Sequence, residues 1–186
     1  MASDADTREF LDADGVTQAM AALAKSIIES DRGNEGLALV GIRRRGVPIA
    51  ERVLEQIEKI SDLEPLAGVL DITLYRDDLS QVASQPVVSG TQIGFDVTDK
   101  RIVLCDDVIF TGRTIRAALN AICEFGRPRS IELAVLVDRG HRELPVHADH
   151  VPHVIETTLQ EVVHVHLTEV DGKDNVEIVT HQDSVK

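Results

Sequence analysis

Ile-Val-Leu-Cys-Asp-Asp-Val-Ile-Phe-Thr-Gly-Arg-Thr, residues 102–114, is the stretch from which the rest of the chain takes its order. Ile102 to Cys105 are apolar at consecutive positions rather than alternating, the pattern of a strand covered on both faces in a parallel sheet. Asp106 and Asp107 follow, then a small hydroxyl-rich turn. After it Ile115, Leu119 and Ile122 recur at helical spacing, with Gly126 and Pro128 as stop signals. The order is strand, acidic pair, turn, helix, which puts the turn at a helix N-terminus. Free backbone N–H groups and the positive end of the helix dipole favour a phosphate there, and Gly112 lets the backbone approach it. Thr111 and Thr114 add hydroxyl donors, and Arg113 adds charge. Asp106 and Asp107 would repel a bare phosphate, so the matching ligand has a phosphate at one end and hydroxyls or Mg²⁺ at the other, as a ribose 5-phosphate does. An ordinary strand-turn-helix with a solvated Asp pair has the same residues. A P-loop is disfavoured, because no Gly-x-x-x-x-Gly-Lys-Ser/Thr occurs.

Working outward, residues 1–13 carry several acids and little apolar material and read as a loose arm. From Thr17 to about Ser30 an amphipathic helix places Met20, Leu23, Ala24 and Ile27 on one face. Leu37 to Gly41 is a second unbroken apolar strand; it runs into Ile42-Arg43-Arg44-Arg45-Gly46 and a helix from Pro48. Such a basic turn is either simply solvated or, at the carboxyl end of a parallel strand, part of a ligand site. Leu66 to Leu74 reads as a third strand, followed by a long irregular segment, about 75–100, of the kind that often serves as a lid. Val87-Val88 and Ile93 to Phe95 are equally able to form a hairpin across it. Ser130 to Asp138 is another buried strand. Val151 to Ile155, Val162 to Leu167 and Asn175 to Thr180 read as further strands.

With 186 residues, 43% of them hydrophobic, the expectation is one α/β domain. No apolar run reaches membrane-spanning length and the N-terminus lacks the basic and apolar regions of a signal peptide, so a cytoplasmic protein is expected. Cys105 and Cys123 stand apart on apolar elements and read as buried thiols. A net charge of −13 excludes a surface that binds nucleic acid everywhere, since phosphate contacts need clustered Lys and Arg. With 3% aromatic residues and no Trp there is little from which to build a base-stacking platform.

Residues 102–114 closely resemble the 5-phosphoribosyl 1-diphosphate (PRPP) signature of type I phosphoribosyltransferases. Three further segments resemble the PyrR family, bifunctional pyrimidine operon regulators with uracil phosphoribosyltransferase activity: Gly-Ile-Arg-Arg-Arg-Gly at 41–46, Leu-Asp-Ile-Thr-Leu-Tyr-Arg-Asp-Asp-Leu at 70–79 and Val-Leu-Val-Asp-Arg-Gly-His-Arg-Glu-Leu-Pro at 135–145. The resemblance implies the type I phosphoribosyltransferase fold, a mainly parallel central sheet flanked by helices, with a lid arm and a small β-rich hood at about 139–180. Residues 14–180 would form that single domain. It implies conversion of uracil and PRPP to UMP and pyrophosphate with Mg²⁺, in a homodimer or larger homo-oligomer. In this reading Arg43 and Arg44 contact the diphosphate. Asp106 and Asp107 hold the ribose hydroxyls and Mg²⁺, directly or through water, and Thr111, Gly112, Arg113 and Thr114 grip the 5-phosphate. Arg76, with Asp77, acts from the lid; Val137, Arg139 and His141 face uracil.

The family's second activity implies UMP-responsive binding of pyr leader mRNA, with Lys25, Arg142 and His147 as contacts. Two departures bear on it. Residues 150–158, His-Val-Pro-His-Val-Ile-Glu-Thr-Thr, lack the family's basic residue, glycine and Pro-Thr-Ser end, and His147 stands where Arg is usual. Both remove positive charge, which His147, His150 and His153 would partly restore on protonation. An enzyme or nucleotide sensor without RNA binding is one alternative. A phosphoribosyltransferase for a purine base is another.

Overall fold

The computed structural model describes residues 6–75 and 90–180. Along the chain its elements are β1 (Asp6–Leu11), α1 (Ala13–Ile28), β2 (Leu37–Ile42), α2 (Gly46–Ile60), β3 (Leu66–Leu70), a 3-10 turn (Thr73–Tyr75), β4 (Gln92–Ile93), β5 (Arg101–Ile109), α3 (Arg113–Cys123), β6 (Ser130–Asp138), β7 (His153–Val154), β8 (Glu161–His166), α4 (Thr168–Asp171) and β9 (Asn175–Thr180). The larger sheet has the order β4-β3-β2-β5-β6-β7, parallel except where β4 runs against β3. The smaller, antiparallel sheet has the order β1-β9-β8.

The consecutive apolar residues of β2 and β5 divide between two cores, because successive strand residues point to opposite faces. Leu37, Leu39, Val103 and Cys105 pack with α1, α2 and the inner face of the small sheet. Ala38, Val40, Ile42, Ile102 and Leu104 pack with α3 on the other side. From β2 the chain crosses through α2 to β3 on one side, and from β5 through α3 to β6 on the other. Strand order therefore reverses between β2 and β5, and at such a switch point a crevice opens outside the carboxyl ends of the strands. The β2–β5 register stops at Gly41↔Cys105, whereas β5 stays paired to β6 through Ile109↔Asp138. Asp106 and Asp107 thus lie in the strand itself, on the side that β2 has just left.

At the other end of the sheet Arg101, fully buried, forks onto Glu132 at 2.8 Å twice and also donates to the carbonyls of Ile27 and Gly33. His150 Nε2 sits 2.8 Å from the same carboxylate, and its Nδ1 2.8 Å from Ser26 Oγ. Burial pushes the Glu132 carboxyl up. The hydrogen bonds and charges of Arg101 and His150 outweigh it and bring the group to about 2.

Several expectations need correction. Residues 6–11 of the supposed loose arm are β1, antiparallel to β9; the mostly exposed strand is held by backbone pairing, which its polar side chains do not reveal. The first helix begins at Ala13 rather than Thr17, because Asp12 caps it by accepting the Gly15 N–H at 2.8 Å. The third strand ends at Leu70, where Asp71 turns the chain by accepting from Thr73 N and Oγ1. Cys123 is exposed, unlike Cys105. Of the proposed lid, residues 76–89, with Arg76, Asp77, Val87 and Val88, lie outside the described residues. Ile93 pairs with Gly68 of β3.

Candidate active site

Three elements converge at the crevice. At the end of β2 the turn Arg43-Arg44-Arg45 leads into α2, and it folds tightly against β5. A Cβ on Gly46 would stand 2.1 Å from the Cys105 carbonyl oxygen, and one on Gly41 would stand 2.5 Å from Val47 Cα. The two glycines are therefore required for close approach, which brings the arginines beside the carboxylates. Arg43 is tied to the β3 side, its N–H donating to Leu70 O and its Nη2 to Gly90 O, both at 2.9 Å. Arg43 and Arg44 are exposed, and Arg45 is half-buried.

Asp106 is 7% exposed, whereas Asp107 is half-buried. Burial, and then the Asp107 charge, push the Asp106 carboxyl well above the ordinary carboxylate range. Burial also raises Asp107, against its hydrogen bond from Val108 N–H (2.9 Å) and the charge of Arg45. Two carboxyls held apart from water and side by side leave a strong local demand for a cation or for hydroxyl donors.

The phosphate-type turn has the expected shape. Gly112 is the N-cap of α3 with φ 90, a conformation that disfavours side chains, and a Cβ there would also meet Val146 Cγ2 at 2.3 Å. The turn is braced by the loop after β6: Glu143 N–H and Leu144 N–H donate to Thr111 O at 3.0 and 3.3 Å. Thr111 and Thr114 are half-buried at the helix start. The Arg113 guanidinium pairs with Glu143 of that loop at 2.7 Å, with both side chains exposed.

Beyond β6 the residues expected to face a base gather around Phe110. The Arg139 guanidinium lies over the Phe110 ring at 4.1 Å, and the His141 ring meets its edge at 5.9 Å. Arg139 Nη2 donates to Thr158 O at 3.1 Å while its buried Nε has no hydrogen-bond partner among the described residues. His141 Nε2 lies 2.6 Å from Thr157 O, which assigns the ring proton to Nε2. Val137 is instead a core residue, fully buried and in register with Val108 and His153 on either side. Phe110 was not singled out from the sequence, since one aromatic residue before a polar turn carries no periodic signal.

The RNA candidates differ in exposure. Arg142 is turned inward, its guanidinium donating to the carbonyls of Phe110 (2.8 Å), Gly140 (3.0 Å) and Val146 (3.1 Å) and to the Asp138 carboxylate. Lys25 is exposed on α1, 3.9 Å from Glu29, and His147 is exposed. His150 is buried, and burial depresses His153, which packs edge-on against Phe10.

A carboxylate pair on a strand at a switch point, an arginine turn on one side and a helix-borne phosphate turn on the other define a phosphoribosyltransferase. A family profile described as phosphoribosyl transferase domain matches residues 6–169. The fold is that of hypoxanthine phosphoribosyltransferases. The Trypanosoma cruzi enzyme has a TM-score of 0.70 at 13% identity, covering 94% of this chain and 97% of that one. The Staphylococcus aureus enzyme has a TM-score of 0.68 at 17% identity, covering 96% and 94%. At these identities the likeness concerns fold and not the base. Relatives named "Bifunctional protein PyrR" are far closer in sequence: 50% identical in Deinococcus radiodurans (94% of this chain, 95% of the relative) and 53% in Pelotomaculum thermopropionicum (92% and 94%). The chain belongs to the PyrR family of phosphoribosyltransferases. Among the described residues no helix is long and apolar enough to cross a membrane.

Proposed function

We propose that the chain transfers the 5-phosphoribosyl group of PRPP to uracil, forming UMP and pyrophosphate. The observation that carries this is the single strand-turn-helix of β5 and α3, which sets two adjacent carboxylates, Asp106 buried and Asp107 half-buried, one step from a phosphate-type turn, with the arginine turn at the end of β2 beside them. Thr111, Gly112 and Thr114 grip the 5-phosphate, Asp106 and Asp107 orient the ribose hydroxyls, and the arginines receive the diphosphate. Guanidinium groups suit a departing pyrophosphate because they are permanently charged and bind two oxygens at once. The bond from C1 to pyrophosphate breaks and pyrophosphate leaves with the bonding pair, C1 becomes oxocarbenium-like, and N1 of uracil closes on it as the N1 proton passes to solvent. Positioning and charge placement supply the catalysis, so the site needs no covalent nucleophile.

Mg²⁺ fits this donor set. Among the described residues no cluster of three or more His, Cys, Asp or Glu side chains is arranged to hold a metal, and a pair of carboxylates matches an ion that keeps several waters and takes its remaining ligands from substrate phosphates. When bound it would neutralise the diphosphate and orient the ribose. Asp106 and Asp107 would hold it, directly or through water.

Product formation from PRPP with each free nucleobase tests the reading: turnover with uracil and none with hypoxanthine or guanine is expected, and the reverse would make it a purine enzyme. Ligand titrations divide the site further. Thr114→Val is expected to weaken PRPP and UMP together, and Arg44→Ala to weaken PRPP and pyrophosphate while sparing UMP. Identical patterns in the two variants would refute the division. The PyrR name of the relatives supports a second role for the same nucleotide site, UMP-responsive control of pyrimidine genes through leader RNA.

A further inference from the structure

Arg45 stands where the two sheets of the molecule meet. It is the last residue of the arginine turn, and its guanidinium forks onto Asp171 of α4, with Nη2 2.8 Å from Oδ1 and Nε 3.1 Å from Oδ2. Asp171 is itself pinned, since its Oδ2 accepts the Leu167 N–H at 3.1 Å and His166 Nδ1 lies 3.9 Å from Oδ1. The turn is thus held at both ends, through Arg43 to the β3 side and through Arg45 to the small sheet. Arg44 is suspended between the two anchors, exposed and without a side-chain hydrogen bond among the described residues. No side chain caps the start of α2, so the Arg45 fork supplies the restraint that a cap would otherwise give.

A second strap offers a comparison within the same pair of elements. Arg52, about 10 Å farther along α2, forks onto Glu169 at 2.6 and 2.8 Å and reaches Asp174 at 2.9 Å. Both straps join α2 to the α4 region. Only the Arg45 strap adjoins the crevice, where its cation also faces Asp107.

We propose that Asp171 is a positioning residue for phosphoribosyl transfer: by fixing Arg45 it sets the turn that presents Arg44 to the diphosphate and keeps a cation beside the carboxylate pair. This rests on the reading of that turn as the diphosphate end of a PRPP site. The small sheet, whose β8 follows directly from the Thr157-Thr158 segment around Arg139 and His141, thereby reaches both ends of the substrate site. Asp171→Asn replaces a carboxylate oxygen by a donor that opposes the arginine N–H groups, and Arg45→Lys keeps the charge but loses the fork.

The test is steady-state kinetics of the full chain with PRPP, uracil and Mg²⁺, with pyrophosphate binding by calorimetry and thermal melts beside it. Asp171→Asn and Arg45→Lys are each expected to raise KM for PRPP about tenfold and to weaken pyrophosphate similarly, with KM for uracil within about twofold. Glu169→Gln, which weakens the other strap, is expected to lower the melting temperature comparably and leave both KM values unchanged. Asp171→Glu is expected to recover most of the PRPP affinity. Kinetics of Asp171→Asn that match those of Glu169→Gln, in an active wild-type background, would make Asp171 a strut and overturn the inference alone. A wild-type chain that neither forms UMP nor binds pyrophosphate would overturn the underlying reading as well.

Discussion

Asp106 is under opposed demands, because the geometry that suits it to ribose and Mg²⁺ leaves its charge poorly solvated when the site holds neither. Its folded-state pKa is raised by burial and by Asp107. A raised carboxyl stabilises the fold below its unfolded pKa, near 3.8, and that contribution is lost as pH rises through the folded value. Above that value the ionised group is a cost that Asp106→Asn removes. The Asn oxygen can still accept the Asp107 N–H, which lies 3.0 Å from Asp106 Oδ1. The expected outcome is a melting temperature raised by about 2–4 °C at pH 8, with a smaller gain at mildly acidic pH. Asp106→Asn combined with Asp107→Asn is expected to abolish UMP formation, a loss on the order of several kcal/mol of transition-state stabilisation. A less stable Asp106→Asn variant would show that the carboxylate is well solvated or paired in the ligand-free protein. Near-normal turnover of the double variant would remove both residues from the site. The pair, the turn and the arginines were all legible from residue types in order along the chain, because a strand-turn-helix is local. Arg45 and Asp171 were not, since 126 positions separate the partners of that fork.

Among the elements, the amino ends of β5 and β6 are joined by the Arg101–Glu132 pair, and the same reasoning about charge runs with the opposite sign. Glu132 is lowered from 4.5 to about 2, so its contribution is present above about 4.5 and is lost as pH falls toward 2. Removing one partner leaves Arg101 buried and uncompensated. Glu132→Gln is therefore expected to destabilise the protein by about 3–5 kcal/mol at neutral pH, with a matching loss of denaturant midpoint. It should also flatten the acid limb of the stability curve between pH 4.5 and 2. A neutral substitution there would mean that water or another acceptor satisfies Arg101. These two residues appear in the sequence as ordinary charges at strand starts, and only their alignment in the register, with Arg101 opposite Ser130 one pair before Ile102↔Ile131, carries them into contact.

At the scale of the whole molecule the deciding quantity is charge. With a net of −13, Arg142 turned inward and His150 buried, few cations are available to neutralise RNA phosphates. Leader-RNA binding is expected to be weak and to fall with salt on a shallow slope. Burial depresses the His153 imidazole, and His147 is the exposed position of the two at which a permanent positive charge can be introduced. RNA titrations at fixed salt with UMP present are expected to show stronger neutral-pH binding in His147→Arg, with a steeper salt dependence. Tight binding indifferent to that substitution would place the RNA surface elsewhere.

What the sequence by itself determined depends on neighbours along the chain: the buried parallel strands, the turn at the start of α3, the acidic pair, and the motifs by which the chain resembles its family. Tertiary structure alone decided what depends on partners remote in sequence. It recruited residues 6–11 to the small sheet, because backbone pairing is indifferent to the polar side chains those residues carry. It turned Arg142 and Val137 inward, because the acceptors and the strands that enclose them come from elsewhere in the fold. And it joined Arg45 to Asp171, because a charge takes as its partner whatever the packing of sheet and helix brings within hydrogen-bond reach.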